Sequence, residues 1–539
     1  VVRGACTGSD QEMEKAVMAL ELHVDLAPGG SLAVPVVAGV DTARAGIAAA
    51  IAQWREPAAA DAEQAALEAS IGGIIGRDRI STGDADRDRF CGVWLRRQIS
   101  LGTQWARVRH NGYRDQMQDI GGLALFNPAE ARRQLHRVLS YQYASGYAPR
   151  TWIDGAIRDK DFSDNHVWIP ATVRALVLEA GDAALLDEQV PFNDGTTASL
   201  YEHVRRAVEW SWNDRDQHGL IRMRSGDWND CMDAVGKGGH GVSVWLSMAW
   251  CHANDQLLDL ARISGRIDDA ALCARRGAEM RAAVEASAWD GGWYVRAFDD
   301  AGAVLGSARC AEGTLFLLPQ AWAVIAGLGA DGRAVAAMDA VDALLECELG
   351  TRKVLNAYTR PSPTIGFMGG KTPGTHENGG VYLHAAVFKL VADCMLKRHD
   401  RVAAGLASLL PMDHSRFAKR CEPYVFCNSW FAIPGSHRWG QPGQSWGTGT
   451  AAWFHLALMT HVFGLRPTWA GIEVDPCLPP AWGDCVAERS FRGTIYRVRY
   501  QQRRPGSPVS AISVDGAPLA GTLLPLHPGR TIDVQVVIG

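Results

Sequence analysis

At 539 residues the chain exceeds the size at which one hydrophobic core stops growing, so two or three domains are expected. Its formal charge of -5 offers no footprint for nucleic acid or an anionic membrane surface, and no apolar run approaches the roughly 18 residues that a membrane span needs. Twelve cysteines stand without Cys-x-x-Cys pairs and the N-terminus lacks a basic-then-apolar secretion pattern, which together point to a cytoplasmic protein with buried, reduced thiols such as Cys251 and Cys394.

The first residues, VVRGACTG, carry no methionine and read as the tail of something longer, so part of the natural N-terminus is expected to be missing. Residues 14–40 alternate apolar and polar around a Pro-Gly-Gly turn, which predicts paired antiparallel strands belonging to a larger sheet. From residue 42 to about 74 the pattern becomes Ala-rich helix, a linker between domains. Residues 90–464 have helical period almost throughout. Asn127-Pro128 reads as the N-cap and first residue of one helix, with Leu135, Val138 and Leu139 on a shared face. Ser199 and Glu202 form a capping box, and residues 242–263 form a long helix stopped by Gly265. Further helices are predicted at 166–180, 314–327, 333–346, 381–396, 400–410 and 447–463, which points to a helical toroid or solenoid without visible sequence repeat. After Arg466-Pro467, short strand-like pieces divided by Pro and Gly predict a small C-terminal β-domain.

The loops between helices hold the unusual chemistry. Gly226-Asp227-Trp228-Asn229-Asp230 sets two carboxylates around an aromatic ring. Either is a helix cap, or one is desolvated beside Trp228 until its raised pKa suits a general acid. Residues 148–170 crowd Arg150, Arg158, Asp164 and Trp168 before a helix, as solvated charge or as a fork for phosphate and sugar hydroxyls. Residues 369–384 carry Lys371, His376, Glu377 and His384 among glycines, and the seven-residue step from Glu377 to His384 shares one helical face if the helix begins that early. No His-x-x-x-His pair or carboxylate triad supports a metal there. Trp446-Gly447-Thr448-Gly449-Thr450 leads into a helix whose first amides and Thr hydroxyls suit an anion, without the Gly-Lys-Ser/Thr of a Walker loop.

Taken in order, YRDQMQD (113–119), FSDNHVWIP (162–170), DEQVPF (187–192), SGDWNDCMDAVG (225–236), HENGGVYLH (376–384), EPYVFCNSW (422–430), SWGTGTAAWF (445–454) and FRGTIYRVRY (491–500) resemble the inverting cellobiose and chitobiose phosphorylase family, glycoside hydrolase family 94. The resemblance runs from about residue 15 to 500. It implies a mainly α fold: an (α/α)6 catalytic barrel at 90–465, a C-terminal β-domain at 466–539, a helical linker at 42–89 and, at 1–41, the remnant of an N-terminal β-sandwich. It also implies a homodimer in which the sandwich reaches the partner's site. Carried over residue by residue, Asp230 is the general acid, and Arg158, His384, Thr448 and Gly449 contact phosphate. Asp164, Trp228 and Arg150 contact the donor sugar, and Glu377 faces the acceptor.

The implied reaction is reversible phosphorolysis of a β-glucosidic disaccharide to α-glucose 1-phosphate, with inorganic phosphate as co-substrate and no cofactor. Phosphate is already an anionic nucleophile, so no second carboxylate base is required, as an inverting hydrolase would need. Asn165, Cys231 and Asn428 stand where the family usually has Asp, Gly and Gln, which bears on the acceptor. Lys371, six residues before Glu377, suits an anionic sugar, and cellobionic acid ranks ahead of cellobiose as substrate. Two rivals are an inverting β-glucosidase with Glu377 or Asp164 as base, and a non-catalytic saccharide-binding protein.

Overall fold

The computed structural model describes residues 22–38, 41, 43–75, 78–106, 111–411 and 422–539. The chain divides into two compact units, Val1–Gly73 and Ile74–Gly539. In the first, the Ala-rich pattern gives helices α1 (Arg44–Trp54) and α2 (Pro57–Ile75), and α1 has no buried residue. Residues 22–38 form a turn, with the Gly30 N–H donating to the Ala27 carbonyl at 2.8 Å, but no strand ladder. The expected pairing is therefore not formed in this stretch, and Leu22, Val24, Leu32 and Val36 stay exposed. Two strands alone cannot bury an apolar face well enough to hold together. Residues 14–21 and 39–40 of that expectation lie outside the described residues.

In the second unit the helices run, in chain order, α3 (Ala85–Arg89), α4 (Leu95–Leu101), α5 (Tyr113–Ala124), α6 (Pro128–Leu139), α7 (Ile169–Ala180), α8 (Leu200–Asn213), α9 (Val244–Ile263), α10 (Ile267–Ser287), α11 (Leu317–Ile325), α12 (Arg333–Leu344), α13 (Leu383–Met395), α14 (His399–Leu409) and α15 (Thr450–Ala457). The odd-numbered helices from α5 onward each pack on the next odd one, and α15 returns to α5. α6, α8, α10, α12 and α14 each pack on the odd helix that precedes them, and α4 packs on α15 and α5. Burial follows this order. In α13 every residue from Leu383 to Cys394 is buried, its Lys389 and Asp393 paired with each other at 2.8 Å, whereas α6 buries only one stripe that includes Leu135, Val138 and Leu139.

The predicted caps form: the Asn127 side chain accepts from the Glu130 N–H at 3.3 Å, and Ser199 accepts from the Glu202 N–H at 3.2 Å. The reciprocal half of the capping box is replaced, because the Glu202 carboxylate accepts from Arg205 and Arg206 at 2.7 and 2.8 Å. Gly265 stops α9 with φ +71°.

The helices are followed by a six-stranded sheet in the order Ile80–Ser81, Cys485–Phe491, Thr494–Gln502, Thr531–Ile538, Val509–Val514, Ala517–Pro518. Pairing is antiparallel except between Thr494–Gln502 and Thr531–Ile538. Strict alternation of burial along Cys485–Phe491 is what one face turned to a core produces. Arg489, itself buried, locks the sheet to the helices by donating to the Leu125 carbonyl at 2.6 Å and pairing with Glu179.

Down the axis of the ring, Trp168, Trp245, Trp322, Phe388 and Trp453 meet with ring centroids 4.8 to 6.4 Å apart. This aromatic cluster lies between two cavities. One, of about 440 Å³, is lined by Trp168 and Trp453; the other, of about 230 Å³, is lined by Trp228, which packs on Trp245 and Phe388. Among the described residues no helix is long and apolar enough to cross a membrane.

Candidate active site

The smaller cavity gathers loops that precede the inner helices. The first is the 226–230 segment, where Gly226 (φ +143°) lies against Phe162 so closely that a Cβ would come within 2.8 Å of the ring. Asp227 turns away from the cavity. Its carboxylate accepts from Arg296 Nη2 at 2.6 and 2.7 Å, from the Ser243 hydroxyl at 2.7 Å and from the Asn229 N–H at 2.9 Å. Both Asp227 and Arg296 have side chains that are 0% exposed, so this pair fixes the loop. Asp230 points the other way, with 41% of its side chain open to the cavity. The structure thus separates two carboxylates that look equivalent in sequence.

Two guanidiniums hold Asp230. Arg114 Nη2 donates to its Oδ1 at 2.5 Å, and Arg150 donates through Nε at 3.2 Å and Nη2 at 2.8 Å. Burial would raise the Asp230 pKa, but the two arginines outweigh it and bring it to about 2. Arg114 also donates to Asp164 at 2.7 Å and to the carbonyls of Asp227 and Trp228 at 2.9 and 3.3 Å. Asp164 is fully buried behind Arg114 and off the cavity wall; burial pushes it up to about 6 despite the guanidinium beside it. Sequence reasoning passed over Arg114, although it sits in the first turn of α5 inside the YRDQMQD motif, where its side chain is aimed inward with the loops.

On another wall, Trp228 meets the His384 and Tyr382 rings edge-on at 5.1 and 5.5 Å. His384 lies against Gly449, where an added Cβ would stand 2.6 Å from its Cε1. In the same loop the Gly447 and Thr448 N–H groups donate to the Ser445 and Trp446 carbonyls, so those two amides are taken locally. The Thr448 hydroxyl, 2.7 Å from that of Thr450, lines the cavity rim with Gly449. Gly449→Ala is expected to push the imidazole out of line and raise KM for an anion bound there about tenfold, an overpacking cost of about 1 to 3 kcal/mol, with folding retained. Initial rates against phosphate concentration check it, and an unchanged KM refutes it.

Lys371, His376, Glu377 and Asn428 also line the cavity. The helix carrying His384 starts at Leu383, so Glu377 is not on its face as one reading of the spacing had it. Gly379 (φ +89°) and the short strand Val381–Tyr382, paired with Ser429–Trp430, intervene. Glu377 reaches the site through the loop instead, accepting from the Cys231 N–H at 3.4 Å. Arg158, like the predicted donor contact Asp164, is not brought to the cavity wall. It ends an exposed hairpin strand, Ala156–Arg158, paired with Thr151–Ile153, and lines no part of the cavity. Among the described residues no three His, Cys, Asp or Glu side chains converge as a metal ion would need.

The model of the glycosyl hydrolase 94 superfamily catalytic domain matches residues 72–464, and the chain belongs to that family. It is a glycosyltransferase-type phosphorylase, an enzyme class that uses inorganic phosphate. It is 33% identical over 545 residues to the solabiose phosphorylase of Paenibacillus borealis, spanning 99% of this chain and 70% of that one. It is 31% identical over 547 residues to the 3-O-beta-D-glucopyranosyl-beta-D-glucuronide phosphorylase of the same organism, with 99% and 71% covered. Among solved structures, a GH78 family rhamnosidase of Bacillus sp. GL1 superposes with a TM-score of 0.51 at 11% identity, over 86% of this chain and 44% of that one, a likeness of fold.

Proposed function

We propose that this protein catalyses reversible, inverting phosphorolysis of a β-glucosidic disaccharide, releasing the acceptor and forming α-glucose 1-phosphate. The observation that carries the reading is Asp230, open to a cavity that His384, Thr448 and Gly449 also line. Phosphate attacks C1 while Asp230 protonates the departing glycosidic oxygen, so one C–O bond forms as the other breaks on the opposite face. The buried position of Asp164 behind Arg114 removes one of the two bases that an inverting glucosidase could use; Glu377, on the cavity wall, is the other, and phosphate dependence separates the two readings.

An Asp230 held near pKa 2 is ionised at neutral pH, yet a general acid must carry a proton. Phosphate resolves this conflict. A phosphate dianion bound by His384, Thr448 and Gly449 adds negative charge to the cavity, which raises the proton affinity of Asp230.

For the substrate we propose cellobionic acid, then cellobiose. Lys371 on the cavity wall supports an anionic sugar, as does similarity to a relative named for a glucuronide substrate. The closed ring of helices supports an (α/α)6 barrel. A homodimer, a cytoplasmic location and independence of any cofactor complete the reading; the free cysteines among the described residues fit a reducing compartment.

The test is product release from cellobionic acid, cellobiose, solabiose and a glucosyl glucuronide, each with and without inorganic phosphate. Phosphate-dependent glucose 1-phosphate is the expected product. Equal release of free glucose without phosphate refutes the phosphorylase reading, and the best substrate ranks the acceptors.

A further inference from the structure

We infer that Lys353 is a positioning residue for the acceptor half of the site: its buried ammonium, wedged between the Trp228 and Tyr382 rings, holds the Glu377 carboxylate in place for the sugar. The inference rests on the phosphorolysis reading, in which Glu377 meets the acceptor.

Lys353 is 1% exposed and does not itself line the cavity. Its Nζ lies 4.4 Å from the Trp228 ring centroid, 4.5 Å from that of Tyr382 and 3.6 Å from Glu377 Oε2. Among the described residues it has no hydrogen-bond partner. Burying an ammonium without hydrogen bonds is costly, so a cation kept here must be repaid by the two ring faces and one carboxylate. All three of those groups line the cavity. The same Glu377 Oε2 accepts from the Cys231 N–H, the residue after Asp230. Lys353 therefore joins the donor-side ring, the acceptor-side carboxylate and the loop of the acid through one buried charge.

The surrounding groups make the charge readable by pH. Burial pulls the Lys353 pKa down to about 8, and Glu377 restores it only in part. Arg296 and Asp227, paired with each other, also act on Lys353, and Lys371 and Asp230, the latter held by its two arginines, act on the adjoining Cys231. Burial pushes the Cys231 thiol up to about 12 and the Tyr382 phenol higher still, so neither titrates near pH 8. As pH rises through about 8 the ammonium becomes an amine, Glu377 loses its counter-ion, and acceptor binding should weaken while the chemical step is spared.

The experiment measures kcat and KM for the disaccharide from pH 7 to 9.5, at saturating phosphate, in the wild type, Lys353→Met and Lys353→Arg. For the wild type, KM should climb above pH 8 toward the Lys353→Met value. Lys353→Met should raise KM about tenfold at pH 7, with kcat within about threefold and a flat alkaline profile. Lys353→Arg should restore much of the affinity and hold it to pH 9.5, because a guanidinium stays charged. A wild type that turns over with a KM flat from pH 7 to 9.5 overturns the inference alone, even if both variants fail to fold. A folded Lys353→Met with the wild-type KM and pH profile does the same. Absence of phosphate-dependent turnover in the wild type overturns the phosphorylase reading and this inference together.

Discussion

Replacing Asp230 by asparagine is expected to lower kcat for phosphorolysis by about 100- to 10,000-fold, the range that general-acid help supplies, with KM values within about threefold. The amide is nearly isosteric and still offers an oxygen to Arg114 and Arg150, so the cavity keeps its shape. What is lost is the proton for the leaving oxygen. A substrate that needs no such proton separates this role from a structural one: an aryl β-glucoside with a strongly acidic phenol should be cleaved by Asp230→Asn nearly as well as by the wild type. The same variant tests how the acid is charged. In the wild type, titration calorimetry in buffers of different ionisation enthalpy should show proton uptake on phosphate binding that Asp230→Asn lacks. Equal loss on both substrate types would move Asp230 out of the acid role, and equal uptake in both proteins would mean that phosphate does not arm it.

Arg296→Met is expected to cost about 3 to 5 kcal/mol of stability, because it leaves the Asp227 carboxylate charged, fully buried and without its partner. Arg296 also donates to the Ser243 hydroxyl at 3.0 Å, so the cap at the start of α9 loosens with it. The measurement is the shift in chemical denaturation midpoint. Asp227→Leu combined with Arg296→Met should recover much of that loss, since two apolar groups replace an ion pair, while activity stays low because nothing then fixes the loop that aims Asp230. A single variant within about 0.5 kcal/mol of wild type would show that the pair is not what holds the loop.

Periodicity and caps made the helices legible in sequence: Asn127, Ser199 and Gly265 act locally, and each does what its residue type predicts. The site was legible where glycine-flanked motifs carry it, as at Asp230, His384 and Gly449. It was not legible where a distant partner decides a role. Nothing around Asp227 announces Arg296, which lies in a short strand-like stretch and looks like an ordinary surface charge. Arg114 and Lys353 are likewise single cations whose meaning comes from burial among groups distant in sequence, Asp164 and Asp230 for the first and Trp228, Tyr382 and Glu377 for the second. Arg158 shows the converse: motif position put it with phosphate, but the hairpin Thr151–Arg158 carries it outward.

Tilted and edge-on rings, Trp228 against Phe388 and Phe388 against Trp453, close the inner end of the site. A chamber with such a floor is a dead end, not a tunnel. Under the proposed reaction the glucosyl terminus must enter first and whatever follows it must trail out of the mouth, so the enzyme removes a terminal unit and does not cut within a chain. Both products leave by the entrance, and the acceptor, lying nearer to it, has to clear before glucose 1-phosphate can follow.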